Sequence, residues 1–493
     1  MVMRDLLKDK KREFIISFCA LILTISIVGS TKVKAILIDE PHISSDAVST
    51  RRALPVIDYA IPSLPFINDS LCVIEDSEMS MSAFINELND LINGKDTVIN
   101  IVHLGDSHIQ AGFLSGRTMR LMQNSFGNAG RGWIAPFKLS KTNEPTDYFI
   151  SSNIKEWIAG RCVQLKPKCL WGIGGIGIQT EAKNINFDLI IAPNNGAGYS
   201  FNKMLLYRDR NAAPMAPLHT DKDSALTLSW GLQAYENNIV VDTFITTNLV
   251  DTLSIRSVDS VKSSESNRYY GFMLTNGNPG ILYHSIGVNG ARYKDYASRE
   301  YIRQLALLKP SLLIISLGTN ESYERNFNKI EFEAQVDSFI RLIREEIPEV
   351  ALLVTTPAES YKRVYRNKKR YYERNENISK VADIISSYAK KEGIAYWDLY
   401  SIAGGRNSCK EWFDAKMFGR DRVHFSRSGY EKQGALLYKA IVRSYASAQN
   451  IQETNNIDIA AQPEEESIDA PAESAEIQVE AIAEPREEAE NVE

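Results

Sequence analysis

The sequence predicts an α/β protein, a three-layer domain with helices on both faces of a mostly parallel sheet, interrupted by an inserted all-β sandwich domain. Two observations carry this prediction. Short apolar runs alternate with stretches of helical periodicity over residues 80–146 and again over 281–448. Between them the texture changes to short β-rich runs separated by turns, and helical periodicity is scarce.

Taken in chain order, the first twelve residues are rich in Lys and Arg and precede an uncharged apolar run, Phe14 to Gly29, followed by small and polar residues up to Ala35. That pattern is an export signal over residues 1–35. The run of 16 residues is at the short edge for a membrane span, so cleavage after Ala35 and retention as an N-terminal membrane anchor both remain open. Cys19 lies inside the run and not behind a small-residue box, which argues for an apolar filler and against lipid attachment. Residues 36–79, with many Pro, Ser and Asp, read as an extended lead-in.

The first part of the α/β domain, residues 80–146, opens with a helix in which Ala83, Phe84, Leu88, Leu91 and Ile92 recur at helical spacing. A buried strand over Thr97–Leu104 follows and ends at Gly105-Asp-Ser. The expected β-sandwich insert spans residues 147–280 and contains runs such as Leu189-Ile-Ile-Ala, Ile239-Val-Val-Asp-Thr-Phe-Ile and Leu253-Ser-Ile-Arg. The second part, residues 281–448, has expected strands at 281–286, 312–317, 351–355 and 394–399. Its helices are expected near 296–308, 330–346, 375–391 and 428–446. Residues 449–493 are rich in Glu, Ala, Pro and Ile with almost no aromatics, and are expected to be disordered.

At 493 residues and 44% hydrophobic content the chain is long enough for two or three domains with their own cores. The formal charge of -6 hides an asymmetry, because the tail from Asn450 carries about -13 and leaves the rest mildly basic. Four cysteines lie outside the signal. Cys162 and Cys169 flank a six-residue segment that a hairpin can close into a disulfide, and two buried thiols fit equally well. No Cys/His spacing supports a structural zinc, so no metal is expected.

Ester hydrolysis by a serine needs a hydroxyl, a base within hydrogen-bond reach, an orienting carboxylate and donors aimed at the developing oxyanion. Each has a candidate at a strand end. Gly105-Asp106-Ser107-His108 follows the first strand, and by itself it is equally a turn with serine capping a helix. Gly287-Val-Asn-Gly290 follows the strand containing Tyr283, and a glycine there lets a backbone N–H approach a substrate. Gly318-Thr-Asn320-Glu follows the next strand and offers an amide donor. Asp421-Arg-Val-His424 stands before the last helix, where carboxylate and imidazole three residues apart can meet. Each piece alone is weak; their order at the strand ends of one α/β pattern is a strong signal.

These four pieces resemble the sequence blocks of the SGNH/GDSL hydrolase superfamily. The resemblance covers the α/β part of the chain and implies a flavodoxin-like SGNH domain. It implies Ser107 as nucleophile, Asp421 and His424 as the rest of a catalytic triad, and an oxyanion hole made by the Ser107 backbone N–H, Gly290 and Asn320. No cofactor is implied. His108 stands where many members have Leu, and Gly-Thr-Asn-Glu departs slightly from the usual third block. The Gly-Asp-Ser-His form, a long β-rich insert and an export signal are together similar to the bacterial peptidoglycan O-acetylesterase branch, in which the insert resembles a carbohydrate-binding module. That likeness implies an O-acetylated glycan substrate and action in the periplasm or cell envelope. Other readings are an O-acetylesterase or acetyltransferase acting on another polysaccharide, and a non-catalytic glycan-binding envelope protein.

Three further features are weighed. Gly172-Ile-Gly-Gly-Ile-Gly177 matches a dinucleotide fingerprint, but no amphipathic helix follows it, so a glycine-rich β segment is the better reading. His103 lies inside the expected strand and reads as a packed or hydrogen-bonded histidine, whereas His108 is a candidate for the mouth of the site. Tyr361-Lys-Arg-Val-Tyr-Arg-Asn-Lys-Lys-Arg-Tyr-Tyr reads as a loop at the catalytic edge, with Tyr361 and Arg363 as candidate glycan contacts. Its composition also suits nucleic acid, which the export signal argues against.

Overall fold

The computed structural model describes residues 64–193, 198–218, 229–234, 238–258 and 266–449. The expected signal or anchor (1–35), the lead-in up to residue 63 and the acidic tail lie outside the described residues.

Five strands form a parallel sheet: β1 (Val98–Gly105), β2 (Gly280–Gly287), β3 (Leu312–Ser316), β4 (Ala351–Thr355) and β5 (Ala395–Trp397). Their spatial order is β2-β1-β3-β4-β5. Residues on both faces of β1, β3 and β4 are buried, which is why these strands read as continuous apolar runs and not as alternating ones. The helices cover them in pairs. Phe113–Phe126 packs on Arg427–Ala448, so closely that a Cβ on Gly434 would lie 2.3 Å from the Leu114 carbonyl oxygen. Helix Lys329–Glu346 turns Phe332, Val336, Phe339, Ile340 and Ile343 inward, and helix Glu376–Lys391, capped by Asn375, turns in Ile378, Val381 and Ile385. The helix expected near 296–308 is two pieces, Tyr293–Tyr296 and Arg299–Ala306, because Ser298 caps a new start.

This order is flavodoxin-like, and it places the topological switch between β1 and β3. The chain leaves β1 for β2 on one side, and β3 lies on the other. The three blocks that follow β1, β2 and β3 therefore emerge at neighbouring carboxyl ends, where such sheets bind ligands.

The β-rich region forms two antiparallel sheets, one running Ile158–Arg161, Ile176–Thr180, Asn267–Thr275, Phe201–Asp209, Ile239–Val250, Ser229–Ala234, the other Tyr148–Ser152, Asn186–Ile191, Thr252–Ser257, Met215–Pro217. Phe187 of the second sheet packs on Tyr269 and Phe272 of the first, with ring centroids 5.1 and 5.7 Å apart, so the two sheets share an aromatic core. Arg208 and Asp242 form a fully buried bidentate ion pair on adjacent strands, at 2.8 and 3.0 Å, and the Met215 N–H of the other sheet donates to the same carboxylate. Antiparallel pairing begins earlier than residue 147: strand Gly132–Ile134 already pairs with Asn267–Thr275.

Both edges of the parallel sheet are covered. Asn128 bridges to Ile281 on β2, and Glu75 exchanges two backbone hydrogen bonds with Tyr396 on β5. Within the lead-in, Ile67, Cys72 and Ile74 are buried, and Asp69 pairs with Lys439 of the last helix at 2.8 Å.

Some expectations need correction or completion. The segment read as a loop is an antiparallel hairpin, Tyr361–Arg366 with Lys369–Arg374, closed by Asn367 and Lys368, both at positive φ as a tight two-residue turn requires. The four cysteines among the described residues are free, so of the two readings for Cys162 and Cys169 the structure has the buried thiols. Gly172–Gly177 leads into a strand, Ile176–Thr180, as the β reading expects.

Replacing Asp242 by Ala leaves Arg208 buried without its counter-charge. A loss of about 3–5 kcal/mol is expected, read as a fall in the urea midpoint.

Candidate active site

Ser107 is the first residue of a single helical turn, Ser107–Gln110, that begins where β1 ends. Asp106 caps this turn, its Oδ1 accepting the His108 N–H at 2.9 Å. The Ser107 hydroxyl lies 2.9 Å from His424 Nε2, and His424 Nδ1 lies 2.7 Å from Asp421 Oδ2. With Nδ1–H donated to Asp421, Nε2 is left to accept the Ser107 proton. The other Asp421 oxygen accepts the N–H groups of Val423 and His424, both at 3.0 Å, so one carboxylate shapes the loop and orients the ring.

The electrostatics follow from these contacts. Burial alone would lower the His424 pKa, but the hydrogen bond and charge of Asp421, with the charge of Asp106, outweigh it and raise it above the ordinary 6.5. Burial would raise Asp421, yet the His424 bond and two backbone N–H groups bring it down to about 2. Asp106 is fully buried, and desolvation pushes it up to about 7 against the pull of the His108 N–H and His424.

Opposite Ser107, the loop after β2 approaches the first turn so closely that a Cβ on Gly287 would sit 2.3 Å from the Gln110 nitrogen. Gly290 has φ +83° and lines the cleft; its N–H has no acceptor among the described residues. Asn320, from the turn after β3, also lines the cleft. Its Nδ2 donates to Asp106 Oδ2 and to the Ala291 carbonyl, each at 3.0 Å, so both amide hydrogens are directed at partners within the site. The sequence residues Ser107, Gly290, Asn320 and His424 thus border one cleft of about 540 Å³, with Asp421 behind His424.

Four residues join this site without having been singled out. Gln110 Oε1 accepts the Asn289 N–H at 2.8 Å, and its amide donates to Thr142 and Asn143. Asn289 donates to Asn143 Oδ1 at 2.8 Å, and Asn143, Asn289 and Tyr323 line the cleft. Gln110 lies one helical turn past Ser107 and Asn289 sits beside Gly290, so spacing could have marked these two. Asn143 and Tyr323 carry no sequence signal.

Three candidates are placed elsewhere. His108 does not reach the mouth: its Nδ1 meets the Tyr430 hydroxyl at 3.0 Å, its Nε2 is buried, and burial lowers its pKa to about 3. The ring lies behind His424, with centroids 5.4 Å apart, because the residue after Ser107 on a helical turn points away from the hydroxyl's side. Tyr361 and Arg363 lie on the hairpin outside the cleft lining. His103 is buried beneath the site and neutral, bonded to the Tyr283 hydroxyl and Ser316 Oγ, both at 2.7 Å. Among the described residues no group of three or more His, Cys, Asp or Glu is arranged to hold a metal.

A hydroxyl, an imidazole and a carboxylate in series, beside free N–H donors, can carry acyl transfer to and from serine. Residues 258–432 match the model of the GDSL-like Lipase/Acylhydrolase family, and the chain therefore carries a domain of that type. Its class is that of the serine esterases. No curated protein matches the chain in sequence. A solved structure of a peptidoglycan O-acetylesterase is similar at 20% identity, over 76% of this chain and 99% of that one, with a TM-score of 0.60, which shows a shared fold. A putative acylhydrolase from Bacteroides fragilis NCTC 9343 (18% identity, 33% of this chain, 76% of that one, TM-score 0.25) is also similar. So is a GDSL-like lipase from Bacteroides thetaiotaomicron VPI-5482 (19%, 33%, 76%, TM-score 0.24). These two span a third of the chain and add nothing to the fold assignment.

In an NMR titration the His424 ring is expected to protonate with a midpoint above 6.5. Asp421→Asn removes the carboxylate that holds the proton, and the midpoint falls; an unchanged midpoint would contradict the pairing.

Proposed function

We propose that this protein is an exported esterase that removes O-acetyl groups from a cell-wall glycan, with peptidoglycan as the substrate. The observation that carries the reading is the unbroken series Ser107 Oγ, His424, Asp421 at the edge of a cleft that also holds Gly290 and Asn320. The likeness in fold to a peptidoglycan O-acetylesterase over most of both chains supports the choice of glycan. The N-terminal basic and apolar segment supports export to the periplasm or cell envelope.

In this reading Ser107 attacks the acetyl carbonyl while His424 Nε2 takes its proton. Asp421 steadies the imidazolium, and the oxyanion receives the backbone N–H groups of Ser107 and Gly290. Asn320 completes the hole by sharing one amide hydrogen that otherwise points to Asp106 or Ala291. His424 then returns the proton to the departing sugar hydroxyl, leaving acetyl on Ser107. Water, deprotonated by the same imidazole, attacks this ester, releases acetate and restores the serine. The β domain is proposed to hold the glycan strand, as a carbohydrate-binding module does.

The test is acetate release from O-acetylated peptidoglycan, comparing the protein with Ser107→Ala. Release is expected from the former and none from the latter. Cleavage of aryl acetates without release from peptidoglycan would discard the glycan assignment, and inactivity on both would discard the esterase.

Two further outcomes are expected. Asn320→Ala lowers kcat by about 10²–10³-fold, the usual cost of an oxyanion donor. The rate falls as pH drops through a midpoint above 6.5, because protonated His424 cannot accept the Ser107 proton.

A further inference from the structure

The hairpin Tyr361–Arg374 leaves the carboxyl end of β4 and carries seven Lys or Arg against one Glu. Strand pairing sorts its residues onto two faces, since directly opposed residues share a face. One face holds the pairs Tyr361 with Arg374, Arg363 with Tyr372, and Tyr365 with Arg370. Tyrosine and arginine therefore alternate both along and across it. Arg363 lies 5.9 Å from the Tyr365 ring and Arg370 5.8 Å from the Tyr372 ring.

The inner end of this face is joined to the loop that carries the imidazole. Arg422, between Asp421 and His424, places its guanidinium 5.5 Å from the Tyr361 ring and 4.8 Å from the Tyr372 ring. The Tyr361 N–H donates to the Arg422 carbonyl at 2.9 Å, and the hydroxyl of the cleft residue Tyr323 donates to the Tyr361 carbonyl. Lys362, on the other face, sits 5.5 Å over the Tyr323 ring. Outward, Arg363, Tyr365 and Arg370 are exposed, Tyr365 at 64%. Among the described residues, Lys362, Arg363, Lys368, Lys369 and Arg370 have no carboxylate at ion-pair distance, while Arg366 pairs with Glu373 and Arg374 with Glu376.

We propose that the Tyr/Arg face of this hairpin is a binding strip for a glycan strand that bears carboxylates, running outward from the acyl cleft. This rests on the esterase reading above and names the substrate class its site receives. Unpaired cations cost solubility and stability little when exposed, but five on one short hairpin repel each other, and an anion relieves that repulsion. The exposed Tyr365 ring offers a flat apolar face to a sugar ring, and the exposed Arg363 and Arg370 guanidinium groups can each take a carboxylate through two parallel N–H bonds. Six-residue strands give the strip a length of about 20 Å, more than one sugar unit needs. A nucleic acid would also meet arginine and tyrosine, but its esters are phosphodiesters, and it carries no acyl ester to present to the adjoining cleft.

The test uses the full chain and the double variant Arg363→Glu with Arg370→Glu, with Tyr365→Ala as a second variant. Each is assayed on O-acetylated peptidoglycan, on the same material with its carboxylates amidated, and on 4-nitrophenyl acetate. The ratio of kcat/KM on intact peptidoglycan to that on nitrophenyl acetate is expected to fall by on the order of 10-fold in the double variant. Amidation is expected to lower the wild-type ratio likewise and to leave the double variant's ratio nearly unchanged. A ratio the same in variant and wild type, indifference of the wild type to amidation, or tighter binding of duplex DNA than of peptidoglycan would each overturn the strip. Co-sedimentation with intact and amidated peptidoglycan reads the strip without turnover. A protein that binds the intact form but cleaves neither ester would retain the strip as a binding surface and refute the esterase.

Discussion

The Asn320 side-chain amide is the point at which the site closes. One of its hydrogens goes to Asp106, the carboxylate that caps the turn of Ser107, and the other goes to the carbonyl of Ala291, next to Gly290. Three turns that leave three different strands are thereby held to a common geometry by one planar group. The next residue extends the tie, since Glu321 accepts the Tyr293 N–H at 2.8 Å. Donors aimed at a developing charge are useful only if they are fixed before the charge appears. Here the fixing is done by short polar contacts between turns, and the sheet supplies only their spacing. Two buried carboxylates serve this purpose, and desolvation raises both Asp106 and Glu321 to about 7. The site keeps them because each is held by backbone N–H groups.

Much of this was legible in the residues. The parallel strands announced themselves as uninterrupted apolar runs, because both faces of β1, β3 and β4 are covered. Ser107, Gly290 and Asn320 could be found because each follows such a run, whereas His424, 27 residues past the last parallel strand, was marked only by Asp421 three residues before it and the helix after it. What could not be read were contacts between parts distant in the chain. Asn143 is a loop residue with nothing to mark it, and its place depends on Gln110 and Asn289. The position of His108 follows from a rotation of about 100° along a helical turn, which a linear motif does not display. The hairpin was misread as a loop because its alternation is of tyrosine with arginine, both polar at the tip, so no apolar face signalled a strand.

The β region enters at the edge of the parallel sheet, and its first residues do two jobs. Asn128 bridges to β2, while Gly132–Ile134 joins the antiparallel sheet through Asn267–Thr275. Trp133 makes the junction specific: its N–H donates to His284 on β2 at 3.2 Å, and its ring packs on Tyr207 of the antiparallel sheet. Such a seam passes a fixed orientation from one sheet to the other with no linker between them.

The hydroxyl of Ser107 and the imidazole of His424 are separated by 317 residues, and the helix that follows His424 packs on the helix that follows Ser107. The proposed nucleophile is thus made early and its proposed base almost last. The Ser107–His424 contact therefore cannot form until nearly all of the described residues have been made. On the proposed reading, the order of the elements along the chain makes completion of the last two of them a condition for assembling the site.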